Sequence, residues 1–311
     1  MERNDMPKAY TYTQHGGPET ETFADLPRPV PGPGQLLVAV RAAGVNPVDW
    51  KRRAGYLPPG AAAAELPAVL GGEVAGVVEE VGEGVEGFAP GDAVFGNPLT
   101  GGYAEYTLLP VELAAHKPDA VSFADAATLP IAAATAYDGV HQLGLPPGAT
   151  LLIIGVGGGV GVAAAQIAGN AGLRVIGIAS AAKKDFVERL GVLHVEPGPD
   201  VADRVRAAAP GGVDAIYDLV GGDALVAVAG LLGDPAKLIT AADRDTVARL
   251  GGSPVARKRD REVLEAVARL VEQGVLRPYV TETFPLDEAA EALRAVEAGH
   301  ARGKIVIEVA G

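Results

Sequence analysis

The sequence predicts an α/β protein in two parts, one β-rich and one a parallel sheet covered by helices on both faces. Three observations carry that prediction. Strand-like and helix-like segments alternate from about residue 149 onward. The first third instead holds Val- and Ala-rich strand segments separated by Pro- and Gly-containing turns. A glycine-rich turn joins a strand to a helix where the alternation begins.

Composition sets the limits. A chain of 311 residues buries a large core, and two domains are expected. Apolar residues make up 48% and charged residues 21%, a globular and not a disordered profile. A net charge of -13 argues against nucleic acid or an anionic membrane as partner, although a local site can still take a phosphorylated small molecule. There is no cysteine, which excludes disulfides, thiolate nucleophiles and Cys-based zinc sites. The N-terminal stretch has no apolar core of a secretory signal. The apolar run Leu151–Ala165 carries five glycines and is too short to span a bilayer, so a cytoplasmic protein is expected. His15, His116, His141, His194 and His300 show no metal-ligand spacing, and no Gly-x-Ser-x-Gly elbow is present.

Along the chain, 35–45, 73–82, 91–96 and 102–110 read as strands of a mostly antiparallel unit. Residues 123–144 are Ala-rich and helical in pieces, with Pro130 marking a break. Strands are then expected at 149–155, 174–179, 213–220 and 236–242, with helices at 160–172, 183–191, 224–233 and 261–274. A last helix over 287–299 and a strand over 303–309 return to the β-rich part, making it discontinuous.

The glycine turn is the most informative segment. A buried strand runs into Gly155, Gly157, Gly158, Gly159 and Gly161, and a helix starts there through Val160. Side chains at those glycines would keep the backbone away from a pyrophosphate, and the free N–H groups of the helix start hold an anion. A tight turn alone would also explain glycines. The strand before, the helix after and the second strand at the right distance favour a dinucleotide-binding (Rossmann) unit. Where NAD sites carry an acid at the end of that second strand, this chain has Ser180, followed by Lys183 and Lys184. A hydroxyl and two ammonium groups suit the additional phosphate of NADP; two lysines at a helix start also fit a solvated surface.

With these residues in place, the chain resembles the zinc-independent quinone oxidoreductase (zeta-crystallin-like) branch of the medium-chain dehydrogenase/reductase superfamily. The likeness rests on AAGVNPVDWKRRAG (42–55), LPAVLGGEVAGVVEEVGEGVEGFAPGDAVFG (66–96), GGYAEY (101–106), ATLPIAAATAY (127–137), the glycines 155, 158 and 161, and the C-terminal FPLDEAAEALRAVEAGHARGKIVIEV. It implies a GroES-like β-rich catalytic domain over 1–126 and 283–311 and a six-stranded Rossmann domain over 127–282, with NADP(H) as cofactor and a homodimer as assembly. Zinc-dependent members place ligands where this chain has Asn46, Gly72 and Ile131, so no metal is expected here. The resemblance also nominates Asn46 and Asp49 at the substrate end, Thr135 near the nicotinamide, and Lys304 as a further cofactor contact. Asn46 is expected to donate a hydrogen bond to a substrate carbonyl; an Asn-Pro turn is the alternative. Tyr56 is the first candidate for a proton donor, with Tyr103, Tyr106 and Tyr137 behind it.

The expected activity is NADPH-dependent hydride transfer to a quinone or similar conjugated carbonyl. An enoyl or 2-alkenal reductase of a biosynthetic pathway is the alternative. A non-catalytic NADP(H)-binding sensor or structural protein is the alternative from another class.

Overall fold

The structure, a computed structural model, describes residues 6–57, 64–299 and 301–310. His300 and the first five residues, both used in the sequence reading, lie outside these. The chain divides into two compact units. One comprises Met1–Ile131, Arg259–Glu272 and Val280–Gly311, and the other Ala132–Lys258 and Gln273–Tyr279.

The first unit is built on the strand Gln35–Val45, which pairs with three others. Nine of its eleven residues are buried, which explains why its sequence shows no polar/apolar alternation. Across the sheet the order is Val280–Pro285, Lys304–Glu308, Gln35–Val45, Val74–Val81, Ala93–Gly96 and Ala114–His116, and Tyr106–Pro110 also pairs with Gln35–Val45. Every pairing is antiparallel except the first, which is parallel. A smaller antiparallel sheet joins Glu21–Asp25, Lys8–Tyr12 and Ala68–Val69. Ile305–Glu308 pair with Ala42–Val45, so the C-terminal tail does return to the N-terminal part. Helix Ala289–Glu297 packs Ala289, Ala292, Leu293 and Val296 against Tyr10, Val40 and Ile305, the spacing of one helix face.

The helix Arg261–Glu272 groups with this compact unit, and side-chain contacts anchor it there. The Arg261 guanidinium donates twice to the Val111 carbonyl, at 3.0 and 2.7 Å, and stacks on the Phe88 ring at 4.8 Å.

The second unit is a parallel sheet whose spatial order is Leu193–Val195, Arg174–Ile178, Thr150–Ile154, Ala215–Asp218, Leu238–Thr240 and Ser253–Pro254. Numbered along the chain this is 3-2-1-4-5-6, the doubly wound order whose ligands sit at the carboxyl ends of the central strands. The central strand, TLLII, is buried throughout, as a strand covered on both faces must be. No helix of the described residues is long and apolar enough to cross a membrane.

Candidate active site

In the second unit, Thr150–Ile154 ends at Gly155, whose φ of +85° is open to glycine at little cost. A Cβ on Gly161 would stand 2.5 Å from the Gly155 carbonyl oxygen and 2.5 Å from Val156 Cα, so the helix rests directly on the turn. The helix Gly159–Asn170 begins after Gly158, and no side chain caps it. The first-turn N–H groups of Gly159, Val160 and Gly161 therefore present the positive end of a twelve-residue helix. A Cβ on Gly157 would meet Lys183 Cδ at 2.6 Å, so this lysine's stem lies across the turn. Lys184 sits 4.0 Å from Glu188, and Ser180 is exposed at the end of the neighbouring strand. Thr135, in the first turn of Ala134–Leu143, is buried; its carbonyl accepts from the Tyr217 hydroxyl at 2.8 Å, while its own Oγ1 has no partner. An uncapped helix start, a glycine cradle, a nearby cation and a buried unpaired hydroxyl fit a dinucleotide phosphate and its nicotinamide end.

The sequence reading did not single out the acid at the end of Ala215–Asp218. Asp218 is fully buried. Its Oδ1 accepts from the N–H groups of Val220 and Gly221 at 3.0 and 2.9 Å, and its Oδ2 from the Thr240 hydroxyl at 2.5 Å. It thus shapes the loop that brings Val220 beside Gly155. Its position at a strand's carboxyl end was the available signal.

In the first unit, Asn46 ends the long strand and starts the helix Pro47–Arg53, the role anticipated for an Asn-Pro pair only as a turn. The Asn46 N–H donates to Asp49 Oδ2 at 2.8 Å, closing the first turn. The Asn46 amide donates to Glu73 Oε1 at 2.8 Å and to the Gly44 carbonyl at 3.3 Å. Lys304 Nζ donates to Asn46 Oδ1 (2.7 Å), Glu73 Oε1 (2.7 Å) and the Val45 carbonyl (3.0 Å). Glu73 Oε2 accepts from the Ile131 N–H at 2.7 Å. Both Asn46 N–H groups and all three Lys304 protons are therefore engaged inside this unit. In this geometry both are parts of one buried ionic cluster.

Asp49 is 1% exposed, and Tyr103, completely buried, donates to its Oδ2 at 2.8 Å. Burial pushes the Asp49 carboxyl up to about 6, held back by the bonds from Asn46 and Tyr103. Burial, reinforced by the Asp49 charge, raises Tyr103 well above the ordinary phenol range. The other oxygen, Oδ1, lies near Gly72: a Cβ there would stand 3.6 Å from it and 3.0 Å from Ile131 Cδ1, so the position is closely packed. Tyr56, by contrast, is 48% exposed. Among the described residues no group of three His, Cys, Asp or Glu side chains could hold a metal ion. The positions that would carry zinc ligands hold an amide engaged elsewhere, a glycine and an isoleucine, so the donor set does not fit zinc.

Residues 32–119 match the family model described as alcohol dehydrogenase GroES-like domain, and residues 190–307 match zinc-binding dehydrogenase. The 2-methylene-furan-3-one reductase of Solanum lycopersicum is 32% identical, over 96% of this chain and 78% of its own. The quinone oxidoreductase structure from Coxiella burnetii superposes with a TM-score of 0.87 at 30% identity, covering 98% of this chain and 99% of the other. A mycobacterial structure complexed with NADPH gives 0.86 at 30% identity, covering 97% and 99%. Fold, glycine turn and these relatives define an oxidoreductase built on a dinucleotide domain. The chain belongs to the quinone oxidoreductase branch of the medium-chain dehydrogenase/reductase family.

Proposed function

We propose that this NADP(H)-dependent enzyme transfers hydride to a quinone or a similar conjugated carbonyl without zinc. The uncapped helix start over the glycine turn, with the Lys183 stem lying across it, carries the reading. In it, the backbone from Gly155 through Gly157, Gly158, Gly159, Val160 and Gly161 holds the pyrophosphate. Ser180, Lys183 and Lys184 take the additional phosphate, and Thr135 Oγ1 bonds the nicotinamide end. When bound, NADPH supplies the hydride.

Asp49 is the proton source in this reading, in preference to Tyr56. Its Oδ2 is held by two donors, so a proton on the carboxyl sits on Oδ1, the oxygen nearer Gly72. Glu73, Lys304 and Asn46 keep the start of the Asp49 helix in place. A conjugated alkene reduced by hydride leaves an enolate that needs a proton. That buried acid, together with a relative named for reducing a methylene-furanone, supports reduction of a conjugated C=C bond as the second reading. We further assign the enzyme to the cytoplasm as a homodimer, which light scattering tests as twice the 31.5 kDa chain mass.

The deciding experiment follows NADPH consumption, with NADH as control, against a para-quinone, an ortho-quinone, a 2-alkenal and an enoyl thioester. Preference for a quinone with NADPH supports the first reading, and turnover of the alkenal or thioester alone supports the second. Equal or better activity with NADH overturns the roles of Ser180, Lys183 and Lys184.

A further inference from the structure

The six-stranded parallel sheet ends in Ser253–Pro254, an edge strand with a neighbour on one side only. The Val255 N–H donates to the Thr240 carbonyl at 2.8 Å, so the alternation of a strand turns the backbone groups of Pro254 and Ala256 away from the sheet. Pro254 has no N–H to offer. Facing outward on either side of Val255 are the Pro254 carbonyl and the Ala256 N–H, and one side chain takes both. Gln142 Nε2 donates to the Pro254 carbonyl and to Ser253 Oγ, each at 3.2 Å, and the Ala256 N–H donates to Gln142 Oε1 at 2.8 Å. These bonds fix the amide, because a flip would set donor against donor and acceptor against acceptor. The helix end that carries Gln142 is itself held: Leu143 is buried, and its carbonyl accepts from Lys237 Nζ at 2.8 Å. Pro254 and the exposed Arg257 and Lys258 are also residue types that discourage pairing at a sheet edge.

A second copy related by a two-fold axis at Val255 would lay its own edge strand antiparallel to this one. The bonds of that pairing run from each Ala256 N–H to the Pro254 carbonyl of the other copy. Gln142 supplies the same donor and the same acceptor from within the chain. We infer that Gln142 closes this edge against a second copy, so that two copies do not join their sheets through Ser253–Pro254. The homodimer assigned above then uses another face, and the closed edge holds equally for a monomer.

The chain has no cysteine, so Ala256→Cys places a single thiol at this edge. In two-fold pairing the two thiols would stand at diagonal positions of an antiparallel pair, about 7–8 Å apart, within reach of a short bis-maleimide. Val226→Cys, at an exposed helix position, measures linking by chance collision. Ala256→Cys is expected to link no more than Val226→Cys. Adding Gln142→Ala should raise the linked fraction at residue 256 about tenfold at equal concentration, the scale of one or two hydrogen bonds. Gln142 is exposed, so alanine there leaves the fold in place. Amide hydrogen exchange gives a second reading: the Ala256 N–H should be protected at every protein concentration and exchange faster in Gln142→Ala. Efficient linking with Gln142 present overturns the inference, and so does Ala256 protection that grows with concentration. So does a Gln142→Ala protein whose linking and exchange are unchanged. A single-chain mass by light scattering, with no linking, removes the homodimer and leaves the closed edge standing; a dimer that links at residue 256 does the reverse.

Discussion

At the scale of single residues, the carboxyl of Asp49 and the ammonium of Lys304 make opposite demands. Asp49 is buried with two donors on one oxygen, and its pKa rises from 3.8 to about 6. A carboxyl raised on folding contributes stability that is fully present below pH 3.8 and is lost as pH rises through about 6. Asp49→Asn should therefore lose less stability than the wild type between pH 4.5 and pH 7.5 in urea titrations; parallel curves would refute that sign. If Asp49 is the proton source, the same variant should lower kcat/KM for a 2-alkenal by about 100-fold or more with NADPH affinity unchanged. The wild-type alkenal rate should also fall as pH rises through about 6, and the variant's profile should be flat there. Lys304 and Glu73 form a buried pair at 2.7 Å, with side chains 7% and 0% exposed. Removing one partner strands the other charge, so Lys304→Met should cost about 3–5 kcal/mol in chemical unfolding. The double variant Lys304→Met with Glu73→Gln should recover a large part of it. An additive loss would mean that the cluster is not coupled.

At the scale of elements, the contact of the helix Gly159–Asn170 with the turn beneath it is the part most open to test. Gly161→Ala places a methyl 2.5 Å from two backbone atoms, and overpacking of that kind costs about 1–3 kcal/mol. The expected outcome is a less stable protein with at least tenfold weaker NADPH binding, whereas Gly169→Ala, with open space around its Cβ, should do neither. Elements of this kind were legible in the sequence because local chemistry specifies them: the apolar run Thr150–Ile154, the glycines and the Ala-rich helix agree with one another. Less legible were Leu193–Val195 and Ser253–Pro254, edge strands of three and two residues with no period to detect. The anchoring of the helix Arg261–Glu272 was not legible, because its partner carbonyl at Val111 lies 150 residues earlier. In the first unit the positions of Asn46 and Asp49 were readable and their partners were not. Glu73, Tyr103 and Lys304 converge on them only through strand pairing between distant segments.

For the whole molecule, the question is how a chain of net charge -13 holds a polyanionic cofactor. Long-range repulsion is screened within about 8 Å at physiological salt, so local groups at the turn decide the outcome. In the proposed reading the helix start binds the pyrophosphate common to both dinucleotides, and Lys183, whose stem lies across the turn, favours the one with the additional phosphate. Binding to the folded state alone adds about 2.7 kcal/mol at a ligand concentration of 100 Kd. For a protein of 311 residues that corresponds to a rise of about 4 °C in Tm. At equal concentrations NADPH should raise Tm by several degrees and NADH by clearly less, in differential scanning fluorimetry at 0.15 M salt. Lys183→Gln should reduce the NADPH increment to the NADH value and leave the NADH increment unchanged, because the helix start is untouched. A variant that loses both increments would show that Lys183 holds the turn itself, and one that loses neither would return phosphate selection to Ser180 and Lys184.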